Sequence, residues 1–144
     1  MPQKNNEHSI LIVDDVAINI QILKGLLIDE YKILAAKNGR RAIDIAQNTP
    51  QPDLILLDVV MPLMDGFEVC QLLKGNPKTK HIPIIFITGK TEKIDESLGF
   101  ELGAADYVSK LSAPAIIKYR VKAQLSLSLH NRDIEAQVSN NICA

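Results

Sequence analysis

Apolar residues recur along the chain in two alternating patterns, short continuous runs and longer stretches at helical spacing, and the alternation predicts the elements. The first run, Ser9–Val13, stops abruptly at Asp14-Asp15. Residues 17–29 follow with Ile18, Ile22, Leu23, Leu26 and Leu27 at the spacing of a helix face. Residues 32–35 read as a second strand, and Gly39–Gln47 as a helix with Ala42, Ile43 and Ala46 on one side. The run at 53–57 (DLILL) predicts a third strand that ends at Asp58. A loop with Met61-Pro62 and Asp65-Gly66 then leads into a helix reaching about Lys74. Asp65-Gly66 reads as turn and helix-start chemistry, and Met61 and Met64 as loop packing. After a polar connection at 75–82, the run at 83–87 (PIIFI) ends at Thr88-Gly89. Residues 91–102 predict a helix, and 105–108 a short fifth strand followed at once by Ser109-Lys110. The last helix opens near Ala113-Pro114, where proline suits a first turn.

Strands that are apolar throughout, rather than alternating, are buried on both faces, as in a parallel sheet covered by helices on each side. Five strand–helix pairs predict an α/β fold: a flavodoxin-like, doubly wound, five-stranded parallel sheet in three layers. The last helix is extended. Taken over 113–138 it is about 39 Å long, and Leu127, Ile134 and Val138 hint at a heptad seam along it. The expected organisation is a flexible start at 1–8, one folded domain at 9–125, and a helical extension or linker at 126–144 whose tail, 139–144, reads as frayed.

Composition narrows the function classes. Of 144 residues, 47% are hydrophobic and 23% charged, enough for one ordinary core. The net charge of −1 provides no basic field for nucleic acid or an anionic membrane surface, so neither is an expected direct partner. Cys70 and Cys143 form neither a metal-ligand spacing nor a disulfide framework, which suggests a reducing, cytoplasmic setting. The start is polar, and no apolar run approaches the roughly 18 residues of a membrane span.

The chemistry lies where the strands end. Ligands of open parallel sheets collect at the carboxyl ends of the strands. The residues waiting there are Asp14 and Asp15, Asp58, Thr88 and Lys110. Three converging carboxylates repel one another, and a hard divalent cation such as Mg²⁺, which prefers oxygen ligands, resolves the conflict. A carboxylate in that setting can attack a phosphoryl group and form an acyl phosphate, with Asp58 as the nucleophile. Lys110 would add positive charge from another side, and the Thr88 hydroxyl could donate to a phosphoryl oxygen past the small Gly89.

At these residues the sequence resembles the receiver domain of two-component response regulators. The likeness spans about 9–125 and rests on Leu11-Ile12-Val13-Asp14-Asp15, on Asp58 through Gly66 (DVVMPLMDG), on Ile87-Thr88-Gly89 and on Gly103 through Lys110 (GAADYVSK). It implies that Asp58 is the phosphoacceptor, that Asp15 binds Mg²⁺ directly with Asp14 acting through water, and that the Val60 backbone carbonyl completes the protein's share. It further implies that Thr88 and Tyr107 form a switch pair acting on the face of the fourth helix, fifth strand and fifth helix. The implied donor is a phosphohistidine on a sensor histidine kinase or phosphotransfer protein. The implied output is a domain on the same parent chain or a partner, with homodimerisation through that face or the last helix. Lys90 lies where side chains modulate water access in the family.

The sequence departs from the family at Leu111-Ser112, where a proline, usually in a cis bond, and then an aromatic residue are the rule. Either the bond before Leu111 is trans and the loop rearranged, or strain is stored there. The departure favours one alternative, a docking or dimerisation module independent of phosphorylation. The other alternative is a Mg²⁺-dependent phosphotransferase acting on small molecules. On the leading reading the stretch itself is not an enzyme, and any output enzyme lies outside it.

Overall fold

The computed structural model of the chain describes residues 7–89 and 96–143. Residues 1–6 of the expected flexible start, Lys90 and the opening of the helix expected at 91–102 lie outside the described residues. The elements run β1 (Ser9–Val13), α1 (Ala17–Leu27), β2 (Lys32–Ala36), α2 (Gly39–Gln47), β3 (Leu54–Asp58), α3 (Gly66–Lys74), β4 (Ile84–Thr88), α4 (Glu96–Glu101), β5 (Asp106–Ser109) and α5 (Pro114–Cys143). All the strand pairs are parallel, in the order β2-β1-β3-β4-β5. This is the expected doubly wound sheet.

Two apolar cores flank the sheet. On one face Ile20, Leu23 and Leu27 of α1 meet Ile117, Val121 and Leu125 of α5 over Ile10, Ile12, Leu54, Leu56, Ile85 and Ile87. On the other, Ala42 and Ala46 of α2 and Val69, Cys70 and Leu73 of α3 cover Leu11, Val13, Ile55, Leu57, Ile84 and Phe86. Alternate residues of one strand thus enter opposite cores, which is why each strand had to be apolar throughout.

Local signals place the helix starts. The Asp65 carboxylate caps α3 by accepting from Glu68 N–H at 2.9 Å, in keeping with the helix-start reading of Asp65-Gly66. Asn38 caps α2 in the same way from Arg41 N–H. Pro114 is the first residue of α5. Met61 is buried and Met64 packs against the core, as loop packing requires.

Several boundaries differ from expectation for physical reasons. β3, β4 and β5 each extend one residue further, to Asp58, Thr88 and Ser109, because ladder pairing continues past the last apolar side chain: Asp58 pairs with Ile87 and Thr88 with Ser109. The buried stripe of α1 is Ile20, Leu23 and Leu27, whereas Ile18 and Ile22 are about 60% exposed, at 61% and 58%. With 3.6 residues per turn, positions two residues either side of Ile20 fall on roughly the opposite face. α5 runs through Cys143. Leu127 and Ile134, seven residues apart on it, are both exposed; the side chain of Val138 lies outside the described residues.

Candidate functional site

The sheet register assembles the site. Val13 lies beside Leu57, so Asp14 and Asp58 leave adjacent strands side by side. β1 and β3 are the central pair at which the strand order reverses, the usual place for a ligand crevice. Ile87 lies beside Asp58 and Thr88 beside Ser109, so Thr88 and Lys110 follow across the same edge. Lys110 N–H donates to Thr88 C=O at 2.8 Å, which ties the β5 exit to the β4 exit.

Asp14, Asp15 and Asp58 each present a carboxylate oxygen, and these oxygens lie within 4.8 Å of one another. Asp14 and Asp58 are 1% and 2% exposed, while Asp15 stands open to solvent. Val16 N–H donates to Asp14 Oδ1 at 2.9 Å and fixes that carboxylate at the start of α1. The Lys110 ammonium lies 3.1 Å from Asp14 Oδ2 and 3.4 Å from Asp58 Oδ1. Burial opposes its charge, but the hydrogen bond and charge of Asp14 and the charge of Asp58 outweigh that and hold its pKa above the usual lysine value. An all-oxygen set of three clustered carboxylates fits a hard divalent cation.

The Leu111 departure has a local solution. The cis peptide bond among the described residues is Thr49–Pro50, so the Lys110–Leu111 bond is trans. Leu111 carries the N–H that a proline would lack, and Ser109 Oγ accepts it at 3.1 Å. Ser112 N–H closes the turn on Ser109 C=O at 3.0 Å. Lys110 still reaches both carboxylates with leucine in this position.

Of the remaining expected site residues, Thr88 is half-buried at the end of β4, and Val60 is half-exposed on the loop leaving β3. Tyr107 sits on edge strand β5 with its ring 5.2 Å from those of both Phe86 and Phe100. Two glycines went unnoticed as site supports. Gly66 N–H donates to Val59 C=O at 2.8 Å, and a Cβ there would press on the backbone of Asp58 and Val59. A Cβ on Gly99 would collide with the Tyr107 hydroxyl, so this glycine makes the room in which the ring sits. The Asp-Gly pair was the available signal for the first; the second, a contact between α4 and β5, leaves no trace in local sequence.

Comparisons with known proteins show the family. Residues 10–122 match the family model of the response regulator receiver domain. The chain is 50% identical over 117 residues to a probable cyclic di-GMP phosphodiesterase of Vibrio cholerae, covering 81% of this chain and 26% of that protein. It is 41% identical over 115 residues to the response regulator PleD of Caulobacter vibrioides, covering 79% and 25% respectively. It therefore spans about a quarter of the length of each of these two relatives. Among solved structures it resembles the receiver domain of a signal transduction histidine kinase from Syntrophus aciditrophicus, with a TM-score of 0.74 at 36% identity over 83% of this chain and 90% of that one. No helix among the described residues is long and apolar enough to cross a membrane.

Proposed function

The chain belongs to the response regulator receiver domain family, and from that premise we propose that Asp58 accepts a phosphoryl group in a Mg²⁺-dependent reaction that switches an output. The observation that carries the reading is the cluster of Asp14, Asp15 and Asp58 oxygens within 4.8 Å, with the Lys110 ammonium against two of them. Asp14, Asp15, Asp58 and the Val60 carbonyl would hold the metal, which when bound supplies neutralisation of negative charge on the phosphoryl oxygens.

The chain's own residues do the rest. A carboxylate oxygen of Asp58 forms the bond to phosphorus while the bond from phosphorus to the donor nitrogen breaks, leaving an acyl phosphate and a free imidazole. The donor is a phosphohistidine on a sensor kinase or phosphotransfer protein. Lys110 holds a positive charge beside Asp58 throughout, and Thr88 donates its hydroxyl to a phosphoryl oxygen. Tyr107, two residues before Ser109 on β5, carries the change to the α4–β5–α5 face. The output lies beyond this stretch or on a partner, and a second copy engages that face or α5. The setting is cytoplasmic.

The contact of Lys110 with Asp14 and Asp58, made with leucine at 111, supports the leading reading over the phosphorylation-independent docking module. The test is incubation with acetyl phosphate and Mg²⁺ followed by intact mass and sedimentation. One added phosphoryl group with an altered oligomeric state or partner affinity is expected. Continuous turnover of a generic phosphate ester would instead indicate a phosphotransferase or phosphatase, and no added mass would return the docking module.

A further inference from the structure

The end of the sheet opposite Asp58 holds a pocket lined by the basic side chains of Lys74 and Arg132. The pocket has a volume of about 250 Å³. Its lining includes Pro83 and Ala105, which precede β4 and β5, Lys74 at the end of α3, His81, and Asn131 and Arg132 of α5. Its lining holds no carboxylate among the described residues.

The cations there lack counter-charge. Nε and Nη2 of Arg132 are closed to solvent and neither has a hydrogen-bond partner. Leaving guanidinium N–H groups buried without an acceptor is costly. The Lys74 ammonium donates to the carbonyls of Lys80 at 3.0 Å and Ile82 at 2.7 Å, and an ammonium has three N–H groups. No carboxylate among the described residues pairs with either cation. Burial, above all, draws the Lys74 pKa below its ordinary value, as it does for a cation short of an anion.

We propose that this pocket binds a small oxyanion of the phosphate type, held by the Arg132 guanidinium and the Lys74 ammonium. Turned into the pocket from its present solvent-closed position, the Nε–Nη2 edge of the planar guanidinium matches two oxygens of one such group at once. The volume is below the roughly 300–1,000 Å³ of sites for drug-sized ligands, so a single phosphoryl-sized anion fits better than a nucleotide. The lining joins the middle of α5 to the end of α3 and the α3–β4 connection, so an occupant ties α5 to the body of the domain. Phosphoryl transfer at the opposite end has no need of this site.

The experiment is a nuclear magnetic resonance titration of the full chain, free of Mg²⁺, with inorganic phosphate. A parallel titration uses sodium chloride at matched ionic strength. Saturable shifts at His81, Asn131 and Arg132 are expected, with a Kd of about 1–10 mM, absent with chloride. Arg132→Gln should weaken the binding about tenfold or more. Asn131→Asp, an exposed helix position where folding is not at stake, should weaken it similarly by adding a repelling charge. The proposal is overturned by shifts that do not saturate, by shifts that chloride reproduces, by saturable shifts confined to the Asp58 end, or by Asn131→Asp binding as tightly as the parent.

Discussion

Lys110 is the residue on which the charge balance of the site turns. Its folded pKa is raised above the ordinary 10.5, so its contribution to stability is fully present below that value and is lost as pH climbs through the raised one. It is therefore a fixed positive charge across the neutral range. Lys110→Met should remove the positive charge beside Asp14 and Asp58 and lower metal-free stability by about 1–3 kcal/mol, less than for a fully buried pair because the lysine side chain is 23% exposed. Thermal denaturation with and without Mg²⁺ checks this: added Mg²⁺ should raise the Tm of the variant more than that of the parent. Equal Mg²⁺ shifts in both would show that the lysine does not offset the carboxylates. Cys70 shares that pH sense, but through its neutral form. It is buried in the core beneath α3, with its thiol against Leu102 C=O, and burial pushes its pKa up to about 11. The neutral thiol is the favoured form in the folded state. Stability linked to it is present below the ordinary 9.0 and lost as pH rises from there through the raised value. At pH 8, alkylation of the Cys70 peptide should be slow in the native chain and fast after denaturation. Rapid native-state labelling in peptide-resolved mass spectra would contradict the burial.

At the scale of elements, hydrophobic runs made the strands legible, and an abrupt polar residue after each run marked the site. That worked because both faces of a parallel sheet demand apolar side chains, so the first polar position coincides with the exit from the core. Asp58 and Thr88 are nonetheless the last residues of their strands, since backbone pairing is blind to side-chain polarity. The rotation of α1 was not legible. Ile18, Ile22, Leu23, Leu26 and Leu27 could form more than one stripe, and only packing against α5 and the sheet selects Ile20, Leu23 and Leu27. Nor could the sequence reveal which glycines make room for others. Gly66→Ala would force a methyl group against the backbone of Asp58 and Val59, which cannot give as a flexible side chain could. A loss of about 1–3 kcal/mol is expected in denaturant titrations, with slower phosphorylation of Asp58. Parent-like stability would mean that the loop leaving β3 is freer than its geometry implies. Gly99→Ala should evict the Tyr107 ring from its place beside Phe100, seen as Tyr107 ring resonances moving toward free-tyrosine positions while the chain stays folded. Unchanged resonances would show that α4 yields instead.

At the scale of the whole molecule, the domain separates two chemistries along its strands. At the carboxyl ends Asp14, Asp15 and Asp58 cluster with Lys110, and at the amino ends Lys74 and Arg132 line one pocket. α5 passes both regions: its start follows Lys110 and its middle lines the pocket. The resemblance visible in four short motifs extended to the fold and the family, because those motifs are the strand exits and the register brings the exits together. The identity of Asp58 as the acceptor is the claim on which the functional account depends. The most direct measurement is to phosphorylate the chain with acetyl phosphate and Mg²⁺, reduce it with borohydride, which converts an aspartyl phosphate to homoserine, and map the product by peptide mass. The expected result is homoserine at position 58 alone, absent without Mg²⁺ and absent in Asp58→Asn. Homoserine at Asp14 or Asp15, or none at position 58 despite a bound divalent cation, would contradict it.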